Sequence, residues 1–126
     1  MRAFPLQAKA LPWALASVLS IMAAGPAAAL EIGPDVEFCA ALQTLGPGEE
    51  LVLRPGEYRG PCKIRRGGAP GAPIVLRAAD LAQRPRIVYQ GTGANVIEVR
   101  TSHVVIRGLE IESTQPDVDA VRVYGG

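Results

Sequence analysis

The sequence is poor in the residues that build metal sites and catalytic triads. It contains two cysteines and one histidine, His103. Zinc takes about four ligands, drawn mostly from these residue types. We identify no nucleophile or acid–base partner for His103 and expect it in a turn. Asp117 and Asp119 fall short of the roughly six to eight oxygens that Ca²⁺ takes, and turn roles suit them better. We therefore assign no catalytic residue and no metal ligand.

An excess of charge of one sign is also lacking. The chain has 13 Lys and Arg against 12 Asp and Glu. Residues 1–29 contain two of the basic residues, Arg2 and Lys9, and none of the acidic ones, so the remainder carries a formal charge of −1. The basic residues of the remainder, ten Arg and one Lys, are spread along the strands rather than clustered. This balance argues against nucleic acid as a partner.

Long apolar runs are absent except near the N-terminus. An apolar stretch over residues 11–24 follows Arg2 and Lys9, and residues 27–29 supply a small-x-small cleavage site. The stretch is short for a membrane span, which needs about 20 residues. We predict a signal peptide over residues 1–29, a secreted or periplasmic mature protein, and no stable membrane anchor after cleavage. An uncleaved anchor is the alternative.

The two cysteines, Cys39 and Cys62, both lie in the predicted mature region. Export to an oxidising compartment predicts a disulfide between them. It would close a loop of about 23 residues and stabilise the fold by about 3 kcal/mol. Two buried thiols are the alternative.

Short apolar strands are what the sequence has in quantity. Residues 96–111 read as strand, tight turn, strand, bend and strand. Ile97 and Val99 share one face of the first strand, and Glu98 lies on the other. At Gly108 the apolar alternation shifts by one residue, which a flat strand cannot do without exposing its apolar row. We therefore predict three strands around corners, which form one coil of a solenoid.

The strands recur at about one coil length. The marker residues, spaced 23, 22 and 24 apart, are Val52, Val75, Ile97 and Val121. We place residues 62–64 and 86–89 in a second set, also offset by one coil. A repeat of about 20–30 residues without intervening helices predicts a parallel β-solenoid. An antiparallel sandwich is the alternative, disfavoured because Asn-Gly and Asp-Gly hairpin signals are missing.

This register makes predictions for single side chains. Ile97 and Ile106 should be buried, whereas Glu98 and Arg107 should be exposed. The charged residues expected to stack on successive coils, as solvated surface ion pairs, are Arg77, Glu98 and Arg122. We expect Asn95 at a corner, where its side chain can hydrogen-bond the turn backbone.

A cap is predicted before the first coil. Residues 30–35 read as a linker, and residues 36–45 as a helix with Asp35 as N-cap. The apolar face of this helix consists of Phe38, Leu42 and Leu45. We assign residues 30–50 to the linker and cap helix, and residues 51–126 to β-helix coils truncated at the C-terminus. The strand at residues 121–123 is expected to open a fourth coil, so we expect a longer natural chain.

Three sequence strings carry a family resemblance: NVIEVRTSHVVIRGLEI, the later DAVRVYGG, and the upstream GPGEELVLRPGEYRGPCKI. Residues 36–126 thus resemble the right-handed parallel β-helix (pectate-lyase-like) superfamily. The resemblance implies an all-β fold, a right-handed parallel β-helix of about three to four coils with a short N-terminal capping helix.

The resemblance also implies a class of partner. Lyases of this superfamily use a Lys or Arg base beside a uronate carboxylate that Ca²⁺ or Arg neutralises, and its hydrolases use clustered Asp residues. We therefore expect polysaccharide as partner, bound or processed by the full-length protein, with Ca²⁺ as a cofactor only of that longer chain. No cofactor is identifiable here. A non-catalytic surface or adhesion solenoid is the alternative, and a vestigial fragment is a third interpretation.

Overall fold

The computed structural model describes residues 28–125, which form ten strands and one short helix. Every strand pairing is parallel, and the strands form three sheets. Sheet A consists of β1 (Ala29–Ile32), β2 (Glu50–Leu53), β5 (Ile74–Ala78) and β8 (Val104–Arg107). Sheet B consists of β3 (Glu57–Arg59), β6 (Arg86–Tyr89) and β9 (Glu110–Ser113). Sheet C consists of β4 (Cys62–Ile64), β7 (Ile97–Val99) and β10 (Val121–Val123).

The chain visits the sheets in the repeating order A, B, C. Strands β2–β4, β5–β7 and β8–β10 therefore form three successive coils, and β1 adds a further strand to sheet A before them. This is the predicted parallel β-solenoid. Among residues 28–125 there is no helix long and apolar enough to cross a membrane.

The corner at Gly108 is confirmed. Gly108 separates β8 in sheet A from β9 in sheet B, and its φ of +77° suits glycine. The inward-facing residues on either side of it are half-buried and pack against the core: Val104, Ile106, Leu109 and Ile111. Ile97 is fully buried and Arg107 is exposed, as predicted.

The stacking of the marker strands differs from the prediction. Val52 pairs with Arg77 in sheet A, whereas Ile97 pairs with Val121 in sheet C. The second set is also wrong, because β4 pairs with β7 and β6 pairs with β3 and β9. In sheet C the spacing from Cys62 to Ile97 is 35 residues, and from Ile97 to Val121 it is 24. Loops of unequal length make the coils unequal in length. The regular spacing of the marker residues therefore led to the wrong prediction that strands of different sheets stack on one another.

The last strand is also placed differently. Strand β10 is the third strand of the third coil and stacks on β7. It was expected to be the first strand of a fourth coil. At the other end, residues 30–32, expected in a linker, belong to β1, and Ile32 pairs with Leu53 in β2. The strand forms because the apolar side chain of Ile32 can enter the core while the backbone extends sheet A.

The cap helix is present but short. Helix α1 spans Phe38–Leu42, and its N-cap is Glu37 rather than Asp35, with no capping side-chain hydrogen bond. Phe38, Leu42 and Leu45 are all buried in the core cluster, as predicted. The phenyl ring of Phe38 meets the ring of Tyr58 edge-on, with centroids 6.2 Å apart. The apolar face was therefore predicted correctly, whereas the helix ends were not.

The disulfide between Cys39 and Cys62 is confirmed, with Cα atoms 5.4 Å apart. It joins α1 to β4 in sheet C. A five-residue helix has little stability in isolation. The disulfide and the buried apolar side chains together hold it on the end of the first coil. The predicted signal peptide lies almost entirely outside residues 28–125 and stays a prediction.

Candidate functional site

The outward-facing side chains of sheet C are mostly basic. Lys63 and Arg65 are exposed and alternate with buried residues on and just after β4. Arg100 follows β7, and Arg122 lies within β10; both are exposed. We call these four side chains the basic face. They are far apart in sequence, and stacking of β4, β7 and β10 brings them onto one surface.

Glu98 lies at the centre of the basic face, in register between Lys63 on β4 and Arg122 on β10. The prediction that Glu98 is exposed is wrong, because only 4% of the residue is accessible. Its Oε1 accepts a hydrogen bond from Asn95 Nδ2 at 3.2 Å, and its Oε2 accepts one from Arg100 Nε at 3.2 Å. Alternation placed Glu98 correctly on the outer face, but it could not show that neighbouring side chains cover the carboxylate.

The surroundings of Glu98 hold its carboxylate ionised. Burial alone would raise its pKa. Hydrogen bonds from Asn95 and Arg100, together with the charges of Arg100 and Lys63, outweigh that effect, and the pKa is lowered from its ordinary value. A carboxylate with both oxygens engaged and a lowered pKa is a weak general base. Glu98 therefore organises the cations around it.

Asn95 extends this network to the next coil. Its Oδ1 accepts a hydrogen bond from the backbone N–H of Asp119 at 2.9 Å. The predicted corner role of Asn95 is therefore confirmed. Since its Nδ2 binds Glu98, the same side chain fixes the turn before β10 and the carboxylate of β7.

Tyr124 is the site residue that sequence reasoning missed. The Arg100 guanidinium carbon lies 3.9 Å from the centre of the Tyr124 ring, and that of Arg122 lies 5.5 Å from it. Both distances suit cation–π contact. A cavity of about 250 Å³ beside them is lined by Arg100, Thr101, Ser102, Tyr124 and Gly125. The available signal was the position of Tyr124 two residues after Arg122, which puts both on the same face.

The predicted row of Arg77, Glu98 and Arg122 forms only in part. Glu98 and Arg122 are neighbours in sheet C, but Arg77 lies in sheet A beside Arg107. The Arg122 guanidinium pairs with Asp119, with 3.2 Å between Nη1 and Oδ2. Unequal coil lengths again explain the error.

The remaining candidate residues do not form a second centre. His103 is exposed, has a φ of 59° and lies in the turn between β7 and β8, as predicted. Within residues 28–125 no group of three or more His, Cys, Asp or Glu side chains could hold a metal ion. What the basic face can do chemically is donate hydrogen bonds from guanidinium and ammonium groups to anionic oxygens.

Comparisons with known proteins agree with this architecture. No protein-family model and no curated protein matches the chain. Among solved structures, the chain is similar to the crystal structure of pectate lyase Pel9A, with a TM-score of 0.57 and 20% sequence identity. The match covers 72% of this chain and 29% of that chain. The chain therefore has a pectate-lyase-like β-helix fold and spans less than a third of the length of the lyase it matches.

Proposed function

We propose that the chain is part of an exported β-helix protein that binds or processes an acidic polysaccharide, and that the basic face holds the glycan. The observation that carries this proposal is the collection of Lys63, Arg65, Arg100 and Arg122 on sheet C. A disulfide is consistent with export. The likeness to a pectate lyase supports a polysaccharide partner.

The geometry of the face suits a chain of repeated anionic groups. Neighbouring strands are about 4.8 Å apart. Lys63 and Arg122 lie on either side of Glu98 in register, and Arg65 and Arg100 each follow two residues later, so the four cations surround Glu98 on one surface. Within residues 28–125, the side chains of Lys63 and Arg65 make no hydrogen bond or ion pair, so their donors are free for a ligand. An extended polyuronate laid along the axis could meet several cations at once.

Substitution of cations on two different faces tests the proposal. Lys63→Gln/Arg65→Gln should weaken binding to polygalacturonate or alginate by about tenfold or more, since each charged hydrogen bond contributes about 1.5–3 kcal/mol. The control is Arg59→Gln, an exposed arginine in β3 of sheet B, which should bind like wild type. Affinity electrophoresis in gels containing each polysaccharide measures the effect. Equal losses in the two variants would contradict the proposal.

The same assay distinguishes this proposal from the alternative of a non-catalytic adhesion solenoid. A non-catalytic surface solenoid without a dedicated glycan face predicts no preference for acidic over neutral polysaccharides. The basic face predicts strong retention in polygalacturonate and none in dextran. Equal retention in both gels would overturn the proposal.

Turnover is a separate expectation. Among residues 28–125, the carboxylates that pair with the basic face, Glu98 and Asp119, are already engaged by its arginines. Glu98 also accepts a hydrogen bond from Asn95. We expect this chain alone to bind acidic glycan without releasing unsaturated or reducing ends from pectate, alginate or chondroitin. A reducing-sugar assay and absorbance of unsaturated products check this. Robust release would place catalytic residues within this chain.

A further inference from the structure

Strand β4 lies at the edge of sheet C at the N-terminal end of the solenoid. Within residues 28–125 it pairs with one strand, β7, because the order of the sheet is β10, β7, β4. The N–H of Cys62 and the carbonyl of Ile64 hydrogen-bond to residues that flank β7. Backbone groups alternate sides along a strand, so those of Lys63 point away from β7. Two cations of the basic face, Lys63 and Arg65, thus lie on or beside an edge strand.

The end of helix α1 closes this edge. Gln43, which caps the C-terminus of α1, donates a hydrogen bond from Nε2 to the Lys63 carbonyl at 3.1 Å. The Arg66 guanidinium donates in turn from Nη1 to the Gln43 carbonyl, also at 3.1 Å. Gln43 therefore takes the place of a strand neighbour and fixes the backbone from which the Lys63 and Arg65 side chains project.

The Gln43 amide also contacts the disulfide. Its Nε2 lies 3.8 Å from Cys39 Sγ, and sulfur is a weak hydrogen-bond acceptor. Cys39 is bonded to Cys62, which directly precedes Lys63. One amide thus contacts the sulfur at one end of the disulfide and the backbone beside the other end. A change in the disulfide therefore reaches Lys63 by two short routes, the Cys62 backbone and the Gln43 amide.

The apolar contacts of α1 are less directional. The helix has five residues and no side-chain hydrogen bond at its N-cap, and so short a helix is unstable by itself. Phe38 and Leu42 are buried in the core. Apolar burial is non-directional, so it holds the helix on the solenoid without keeping Gln43 in hydrogen-bond register with Lys63. The disulfide supplies that register.

We propose that the Cys39–Cys62 disulfide regulates the basic face. In the oxidised protein, α1 holds the edge of β4 so that Lys63 and Arg65 are in position for a polyanion. In the reduced protein, α1 loosens, β4 frays and glycan binding weakens. Because disulfides persist in oxidising compartments, full affinity for glycan belongs to such a compartment. This inference rests on the proposed function and concerns the regulation of the same site.

Reduction by a dithiol has a defined course. Cys39 is partly exposed, whereas Cys62 is buried, so a thiolate of the dithiol attacks Cys39 Sγ. The S–S bond of the protein breaks, and Cys62 leaves as a thiolate that takes up a proton. The second thiol of the reductant then displaces Cys39 and closes a cyclic disulfide. Two electrons and two protons thus pass from the dithiol to the two cysteines.

Amide hydrogen exchange tests the effect on β4 without any glycan. The N–H of Cys62 and that of Arg100 each donate to a carbonyl across the contact between β4 and β7. Reduction with dithiothreitol should speed exchange of both by about fivefold or more, because local opening of the edge exposes them. The control is the Tyr124 N–H, which bonds to the Val99 carbonyl at the other edge of sheet C and should keep its rate. Unchanged exchange at Cys62 and Arg100 in reduced, folded protein would overturn the proposal.

Gln43→Ala removes the contact while the disulfide stays intact. It should speed the same exchange and weaken retention in polygalacturonate gels by about threefold, because the cations of β4 are less preorganised. Thr44→Ala is the matched control, since Thr44 Oγ1 donates to the Ala41 carbonyl at 2.7 Å, within the cap. It should behave like wild type in both assays. Equal behaviour of the two variants would contradict the proposal, and this comparison holds even if the reduced protein unfolds.

Affinity electrophoresis with and without dithiothreitol completes the test. Reduction should weaken the retention of wild type by about threefold and should leave the residual retention of Lys63→Gln/Arg65→Gln unchanged. Absent retention of oxidised wild type would contradict the proposed function itself. Strong retention that is insensitive to reduction would overturn the regulation alone, so the two failures are distinguishable.

Discussion

Glu98 shows how a single residue can be placed on the outer face of a strand and still be buried. Its partners face it from three directions, with Lys63 and Arg122 on the flanking strands and Arg100 and Asn95 on its own segment. An uncompensated carboxylate would resist such burial. The hydrogen bonds and nearby cations make the ionised form of Glu98 the stable one in the folded protein. The stability of the fold should therefore depend on pH.

The stability of the fold should fall in acid through Glu98. The folded-state pKa is lowered from its ordinary value of 4.5, so the ionised group stabilises the fold above about that pH. This contribution is lost as pH falls from 4.5 through the lowered folded-state pKa. Urea denaturation of wild type and Glu98→Gln, at neutral pH and at about pH 3, measures it. Glu98→Gln should be less stable at neutral pH and should lose less on acidification; parallel pH profiles would contradict this.

Gly108 is the residue whose backbone makes the corner between β8 and β9. Gly108→Ala should destabilise the fold by about 1–3 kcal/mol, because a left-handed residue with a Cβ is strained and the new methyl presses on Ala78, while the exposed Leu81 side chain can move aside. That Cβ would lie 2.7 Å from Leu81 Cδ2 and 3.1 Å from Ala78 Cβ. Thermal or urea denaturation measures the decrease in the free energy of unfolding.

Gly71 offers a matched control for this substitution. It has the same φ of +77°, and a Cβ there would meet nothing within 4 Å. Gly71→Ala should therefore lose about 1 kcal/mol from the backbone alone. The difference between the two variants isolates the collision at the corner. Equal losses would mean that the contact with Ala78 adds no cost.

At the scale of elements, the disulfide determines how firmly the cap helix is attached. Replacement of Cys39 and Cys62 by alanine should lower the free energy of unfolding by about 3 kcal/mol, because the denatured chain regains the entropy of a loop that spans 23 residues. Urea denaturation of the variant, and of wild type with reductant, should give similar midpoints. Thiol titration of unfolded, unreduced protein should find no free thiol; two would contradict the pairing.

The strands and corners could be predicted from sequence, whereas their stacking could not. Alternation along residues 97–99 and the parity shift at Gly108 depend only on neighbours in the chain. Stacking depends on loop lengths, which change from coil to coil. A prediction based on the regular spacing of apolar residues therefore assigned strands of different sheets to the same stack. The ends of the helix were predicted wrongly. Burial of Phe38 and Leu42 determines where the helix lies, and no side chain caps its N-terminus.

The candidate sites were hidden for the same reason. Lys63, Arg100 and Arg122 are dispersed in the sequence, and only the register of sheet C brings them together. The prediction that the basic residues are spread along the strands rather than clustered is therefore wrong for these residues. A cleft on sheet A lined by Arg77 and Arg107 likewise depends on the pairing of β5 with β8. The residue types alone could not identify either site, because both consist of common surface residues in an uncommon arrangement.

At the scale of the whole molecule, binding through the basic face should depend on salt. Exposed charges interact over about 10 Å at 0.1 M salt and about 3 Å at 1 M. Retention in polygalacturonate gels should therefore weaken steadily as salt rises. Lys63→Gln/Arg65→Gln should show a shallower dependence than wild type, and Arg59→Gln should match wild type. A salt-independent affinity would mean that contacts other than charge hold the glycan.

The sorting of charge among the sheets has a consequence for how the molecule meets a ligand. Sheet C presents four cations against two carboxylates, the covered Glu98 and Asp119, which pairs with Arg122. The outer face of sheet B presents Glu57, Glu110 and Glu112 against Arg59 and Arg86. Among residues 28–125, these two faces therefore carry opposite net charge, positive on sheet C and negative on sheet B. The field of a polyanion therefore attracts sheet C and repels sheet B, which turns sheet C toward the polymer before contact, so more encounters begin in a productive orientation.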